Sequence, residues 1–506
     1  MKKLKIYFTS DLHGYVYPTD YRDASENNMN MGILKIINAF DKDGNTLIID
    51  GGDTIQGSPF TNYLSNSTFN VHPIADIMNE GGYDYITLGN HDFNYGYDYL
   101  KKYLNNLNAK CLCANVDNKT KELPIIPFDI KTMENGLKVG LIGFTTDFIN
   151  RWERPSNLEN FTVSDTASAV KAVFDKVRPN CDILIGIYHG GFEYDLDSHT
   201  ELSKTSENIA YKICRDFDFD ILLTGHQHMP LSGQEIHGTY IAQTPHNGTK
   251  FLELNLEIDD ENNKKFSSTL KSPAETPNKA MYDKFLPLNE EVQKWLDIPV
   301  GHLDTNLQPT THIDMAINGS YLANFINQIQ LEESGADISV TSFANSIKGF
   351  DKDVTVRDIT STYMFPNTLV ILEIDGKTLK LALERCASYF DTSDGEIKVS
   401  ELFLKPKVEH YNYDYFSGIE YTFDITKEIG NRVTSIKFKG QPVKYDDKLT
   451  LAMNNYRATG AGGYEFYTEC EKVKEILKEM PDIIIDYFRN HNEVIVDKSK
   501  YITVIK

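Results

Sequence analysis

Ile6-Tyr7-Phe8-Thr9-Ser10-Asp11-Leu12-His13 sets a short apolar run directly before two metal-binding residue types. The arrangement recurs down the first half of the chain. Leu47-Ile48-Ile49-Asp50 leads into Gly51-Gly52-Asp53, and Tyr85-Ile86-Thr87-Leu88 into Gly89-Asn90-His91-Asp92. The run Ile183 to Ile187 leads into His189-Gly190-Gly191, and Ile221-Leu222-Leu223 into Gly225-His226-Gln227-His228. A sixth run, Leu141-Ile142-Gly143-Phe144, is followed by Thr145-Thr146-Asp147 with no evident ligand. Runs of this kind predict buried parallel strands, and in α/β sheets chemistry gathers at the carboxyl ends of the strands. All but one of the runs therefore bring oxygen and nitrogen donors to one rim, as a site for two metal ions requires.

The donors sort by chemistry. Asp11 and His13 stand at i and i+2, so on a strand they point to one side and share an ion. Asp53 has two carboxylate oxygens with which to bridge two ions. Asn90 offers an amide oxygen, and His189, His226 and His228 offer imidazoles. Mixed nitrogen and oxygen ligation suits Mn, Zn, Fe or Co. Any one motif alone is a turn or a loop; together and in order they make a constellation. His72, His199, His237 and His246 lack such placement and read as ordinary surface or loop residues, as do His302, His312, His410 and His491.

At 506 residues the chain exceeds what one core usually serves. The alternation of strands and amphipathic helices (around Met31 to Ile37, Ile74 to Met78, Tyr99 to Leu107 and Ala167 to Val177) predicts a layered α/β domain over 1–255. Residues 256–299 read as a polar hairpin or linker followed by a connecting helix, Lys279 to Leu296. Residues 300–506 read as an α+β domain, with a helix from Tyr321, a strand at Thr368 to Ile374, a helix from Lys377 to Ala387, and strands at Ile419 to Phe423 and Val433 to Phe438. The net charge of −22 repels nucleic-acid polymers and anionic membranes but leaves a small phosphorylated ligand open. No apolar stretch reaches about 18 residues, so no span is read. Met1-Lys2-Lys3-Leu4 runs directly into the first strand and ligand motif, so no leader is expected and a cytoplasmic location is. The six cysteines form no CxxC pair and read as buried free thiols.

In order, the motifs D-x-H, G-D, G-N-H-D, H and G-H-x-H resemble those of the calcineurin-like metallophosphoesterases. Asn318-Gly319-Ser320, Tyr363 to Leu369 and Asn454 to Gly460 resemble the 5′-nucleotidase C-terminal domain. The resemblance implies a mixed-sheet sandwich flanked by helices, followed by a substrate-binding domain. It implies one metal on Asp11, His13, Asp53 and His228 and a second on Asp53, Asn90, His189 and His226, with Asn90 also beside the substrate. His91 would contact the phosphate, and a metal-bound water or hydroxide would attack phosphorus in line with the leaving oxygen. Tyr413 and Tyr464 would sandwich a nucleobase. Arg457 would replace the arginines that have no counterpart at Asn345-Ser346-Ile347-Lys348.

One departure refines the expectation. In 5′-nucleotidases proper an Asp lies three residues after the catalytic His and orients it; here the position is Asn94. Asn94, followed by Tyr95-Gly96, resembles the 2′,3′-cyclic-nucleotide 2′-phosphodiesterase/3′-nucleotidase branch, as does Tyr411-Asn412-Tyr413-Asp414. The competing expectations are a 5′-nucleotidase or UDP-sugar hydrolase, a catalytically inactive nucleotide-binding protein, and a hydrolase of a non-nucleotide ester. The sequence leaves the oligomeric state open.

Overall fold

The computed structural model describes every residue except 26, 204, 366, 394, 406 and 492. Pro366, within the Tyr363 to Leu369 motif, therefore lies outside the described residues. The chain divides into two compact units, Met1–Val292 and Gln293–Lys506.

All six apolar runs form strands, and they belong to two sheets of the first unit. In the first sheet Lys2–Thr9, Thr46–Asp50, Tyr85–Ile86 and Lys110–Leu112 are parallel neighbours. In the second, Lys138–Thr145, Ile183–His189 and Ile221–Thr224 are parallel neighbours. Their ends are in step: Thr9 pairs with Asp50 and Asp50 with Ile86, while Thr145 pairs with His189. The residues that follow each run are thus delivered to the same level of their sheet.

Strand periodicity explains why the sheets stack. Ile6, Phe8, Leu47 and Ile49 of the first sheet share one core with Leu141, Ile183, Ile185 and Ile187 of the second. The alternate residues Ile142, Phe144, Leu184 and Tyr188 turn to the other face and pack on Val170, Val173 and Val177. These three valines, at i, i+3 and i+7, line one stripe of the helix Thr166–Val177, which starts where the Asp165 side chain accepts from the Ser168 amide at 2.8 Å. The other stretches with helical spacing are the helices Ile33–Ile37, Pro73–Glu80 and Tyr97–Asn106.

The polar stretch after residue 255 is the hairpin Phe251–Ile258 and Lys264–Lys271, which extends the first sheet antiparallel to Lys2–Thr9. The first unit therefore runs past the boundary expected at 255. Helix Lys279–Leu296 follows. The second unit has a five-stranded sheet in the order Tyr415–Ser417, Ile338–Thr341, Lys448–Asn454, Thr368–Asp375, Glu471–Glu479, and a separate four-stranded sheet containing Ile419–Asp424 and Val433–Phe438. Its helices Tyr321–Ser334 and Gly376–Ala387 are capped by Ser320 and Asp375. All six cysteines are free, and Cys181 and Cys470 are only half-buried. Among the described residues no helix is long and apolar enough to cross a membrane.

Candidate metal centre

The ligand positions lie in loops just past the strands. Strand Lys2–Thr9 ends before Asp11, so the expectation that Asp11 and His13 share a strand face is corrected. Both adopt left-handed backbone, with φ of 55° and 48°, as do Asp53 (55°), His226 (70°) and His228 (57°). Such a conformation costs a non-glycine residue of order 1–3 kcal/mol and persists only where the surroundings impose it. Here the loops hold one another. Asp11 donates its amide to Gly52 O (2.9 Å) and His13 to Asp53 O (2.8 Å). Asp92 accepts four backbone amides, from Asp53 (3.0 Å) and Gly89 (2.8 Å) on one oxygen and from Thr54 (2.9 Å) and Ile55 (3.1 Å) on the other. Gly89 is required at its position because a Cβ there would lie 2.1 Å from Asp53 Oδ1.

These loops bring the expected residues into two groups. Ligand atoms of Asp11, His13 and His228 lie within 4.8 Å of one another, and so do those of Asp53, His189 and His226. The first sheet supplies Asp11, His13 and Asp53; the second supplies all three remaining histidines. Asn90 joins the second group, its Oδ1 3.0 Å from His226 Nδ1. The His91 amide donates to Asp53 Oδ1 at 2.7 Å, and the His91 ring sits 5.4 Å from that of His13.

The donor chemistry fits a cation in each group. His13 Nδ1–H donates to Gln56 O (3.1 Å), His189 Nδ1–H to Gly51 O (2.7 Å) and His226 Nε2–H to Glu207 Oε1 (3.0 Å). A backbone carbonyl or carboxylate on one ring nitrogen is the usual companion of a metal ligand on the other. The remaining nitrogens then face other acceptors. His13 Nε2 is 3.2 Å from His228 Nε2, and His189 Nε2 is 3.1 Å from Asp53 Oδ2. Pairs of lone pairs at that separation need a proton or a metal between them.

The electrostatics agree. Burial alone would raise the Asp11 carboxyl, but His228 and His189 hold it well below the ordinary range. Asp53 is likewise held far down against its burial by His189 and His91. Burial pushes His13 down to about 4, with Asp53 opposing, so its ring is a neutral ligand at ordinary pH. His189 is the exception: it is equally buried, yet Asp53 carries it up to about 10, so without an ion a proton holds this pair together and a metal has to displace it. Anionic carboxylates and neutral imidazoles are the forms that bind metal.

Sequence reasoning missed four neighbours of this centre: Asp92 as the clasp between loops, Glu207 behind His226, Trp152 stacked on His226 (5.4 Å, 24°), and His246, which was expected to be an ordinary loop residue and stacks on His228 (4.5 Å, 24°). Asp92 stood in the quoted motif. The others join through tertiary contacts for which no local pattern exists.

With this geometry, residues 4–230 match the family described as calcineurin-like phosphoesterase and 299–469 match the 5′-nucleotidase, C-terminal domain. A crystal structure of a Staphylococcus aureus protein assigned as a 5′-nucleotidase is 33% identical, with 100% of both chains covered and a TM-score of 0.92. The chain is a calcineurin-like phosphoesterase of the 5′-nucleotidase family. Members are metal-dependent phosphoester hydrolases, and this chain is one. The 2′,3′-cyclic-nucleotide 2′-phosphodiesterase/3′-nucleotidase of Salmonella typhimurium is 26% identical over 90% of this chain and 81% of its own length. The trifunctional nucleotide phosphoesterase protein YfkN of Bacillus subtilis is 24% identical over 96% of this chain, which spans 38% of YfkN.

In the second unit of this phosphoesterase the expected base-binding residues are not available to a base. Tyr413 is 2% exposed and Tyr464 0%. Tyr413 lies against Tyr389 (4.8 Å) and Tyr415 (4.9 Å), and its hydroxyl donates to Ala316 O. Tyr464 stacks on Tyr467 (5.6 Å, 8°), and its hydroxyl donates to Asn412 O. Arg457 is covered too. Its guanidinium pairs with Asp414 (2.9 Å), donates to Ala461 O and Tyr411 O, and lies 4.2 Å over the Tyr464 ring. The sandwich expectation is therefore corrected. These motifs enclose a buried ion pair within an aromatic core, because a guanidinium so buried needs both a carboxylate and carbonyls to satisfy it. An open cleft of this unit lies elsewhere, about 460 Å³ in volume, where His312 and His410 stack (4.2 Å, 14°) beside Asn345 and Ser346. His72, expected at the surface, is fully buried in the first unit.

Proposed function

We propose that this phosphoesterase hydrolyses nucleotides, with 2′,3′-cyclic nucleotides and 3′-nucleotides its preferred substrates. The observation that carries the reading is His91 beside two ligand groups, with its ring held by the amide of Asn94 (Nδ1 to Oδ1, 2.8 Å). Several relatives named 2′,3′-cyclic-nucleotide 2′-phosphodiesterase/3′-nucleotidase support it.

In this reading Asp11, His13, Asp53 and His228 hold one ion and Asp53, Asn90, His189 and His226 the other. When bound, the ions (Mn, Zn, Fe or Co) supply a nucleophile at neutral pH and neutralise phosphoryl charge. The chain's own part is orientation. The His91 amide, bonded to Asp53 Oδ1, ties the ring's position to the shared carboxylate. With Nδ1–H committed to Asn94, Nε2 is the nitrogen left for a phosphoryl oxygen, and it stabilises the growing charge there as an N–H donor, with both ring nitrogens protonated. Asp92 keeps the Asp53 and Gly89 loops from drifting apart.

A second reading, 5′-monophosphate hydrolysis, is favoured by the Staphylococcus aureus relative. Phosphate release from 3′-AMP, 5′-AMP, UDP-glucose and 2′,3′-cyclic AMP (the last with a helper phosphatase), with Mn, Co, Zn and Mg in turn, separates the two. Turnover of the cyclic and 3′ substrates ahead of the others supports the proposal. Turnover of 5′-AMP and UDP-glucose alone replaces it with the second reading.

A further inference from the structure

Behind Asn94 stands a carboxylate that no motif announces. Glu153 follows directly on the short helix Ile149–Trp152 and is 9% exposed. Asn94 Nδ2 donates to Glu153 Oε2 at 2.6 Å. The other oxygen, Oε1, accepts the Arg154 amide (2.7 Å) and Asn157 Nδ2 (3.0 Å). The same Asn157 nitrogen also donates to the backbone carbonyl of Asn94 at 3.0 Å. Glu153 thus accepts from three N–H donors, which favour its carboxylate form against the upward push of burial.

This settles a choice that the amide alone leaves open. A carboxamide can present either its oxygen or its NH₂ to an imidazole, and the two orientations select opposite tautomers. Because Glu153 only accepts, the NH₂ of Asn94 must face it. The oxygen must then face His91, and His91 Nδ1 must carry hydrogen. Reversed, the amide would point N–H at Nδ1 and oppose any state of the ring with both nitrogens protonated.

We propose that Glu153 is the positioning residue of the His91 site, acting through Asn94 to fix the orientation and tautomer of the His91 ring. Only the catalytic consequence rests on the phosphohydrolase reading; the hydrogen-bond logic does not.

The logic makes a signed, non-additive prediction. Glu153→Gln leaves an NH₂ facing at least one N–H donor, or reverses Asn94. Asn94→Asp sets a second carboxylate against Glu153 across a 2.6 Å contact. Either change alone is expected to lower kcat by about 10- to 100-fold, with KM within about twofold, the range for outer residues that orient a catalytic group. The double variant Asn94→Asp/Glu153→Gln exchanges amide and carboxylate and satisfies every donor: the new carboxylate accepts from His91, and the new amide donates to it while still accepting from Arg154 and Asn157. It is expected to recover kcat to within about threefold of wild type. Metal content by mass spectrometry and melting temperatures accompany the kinetics, with the melting temperature falling in Asn94→Asp and returning in the double variant.

Wild-type or higher kcat in Asn94→Asp alone overturns the proposal, as does a double variant as slow as the product of the two single losses. A wild-type protein that releases no phosphate from any nucleotide sinks the functional reading instead. The melting cycle still decides the arrangement, and additive losses there would refute it.

Discussion

His91 and His72 show how differently one residue type is used. The His91 ring is held by Asn94 and stands beside the ligand groups. Its loss should remove a transition-state contact and nothing from metal binding. His91→Ala is expected to lower kcat about 10²- to 10³-fold while metal analysis still finds two ions per chain. His72 is enclosed by Phe69 (5.1 Å), Tyr99 (4.8 Å) and Tyr103 (5.2 Å), and neither ring nitrogen has a hydrogen-bond partner among the described residues. Burial first, and the Lys102 charge second, push it down to about 3. Since the folded value lies below the unfolded value of about 6.5, the unfolded chain binds the proton first. The stability tied to the neutral ring is complete above about pH 6.5 and is lost progressively as pH falls towards 3. His72→Phe should remove that acid slope and stabilise the unit by about 1–3 kcal/mol, the cost of polar groups buried without partners. Denaturant titrations at pH 7 and pH 4.5 check both signs. At this scale the sequence revealed residues whose chemistry and spacing announce them, such as Asp11, Asp53 and His226. It concealed Glu153, which reaches Asn94 across 59 positions, and His72, whose cage comes partly from another helix.

At the scale of elements, the ligand-free run explains itself through packing. A Cβ at Gly143 would lie 2.0 Å from Leu112 O, and the Gly143 carbonyl accepts the Ala114 amide at 2.7 Å. The strand Lys138–Thr145 therefore contributes a close approach between the two sheets of the first unit, and the missing side chain of Gly143 is the contribution. Gly143→Ala should destabilise the first unit by at least about 2 kcal/mol, an overpacking cost with backbone on the receiving side. A shift in the urea midpoint with unchanged m-value checks it. Strand existence was legible because short β-branched runs bounded by glycine have few alternatives. Their division into two sheets was not, since pairing partners depend on core packing rather than on each strand's own pattern. The left-handed loops were equally hidden: two Asp and three His at φ of 48–70° use a conformation these residue types tolerate better than most, but only their neighbours fix it here.

For the whole molecule, the two halves differ in how much a sequence discloses. In the first unit, function and fold are written in the same residues, because ligands must follow strand ends. In the second, with 29 tyrosines in the chain to choose from, motif position pointed to Tyr413 and Tyr464, but the hydrogen-bond demands of buried Arg457 and Asp414 draw those rings into the core. Metal binding should stabilise the first unit by mass action, so a chelator should lower its melting temperature and added Mn should restore it in a concentration-dependent way. The central claim, that seven side chains from two sheets hold a pair of cations, is tested most directly by anomalous diffraction at the manganese edge from crystals grown with the metal. The account predicts two peaks, one at coordinating distance from Asp11, His13 and His228 and one from Asp53, His189 and His226. A single peak, or peaks away from these groups, would contradict it.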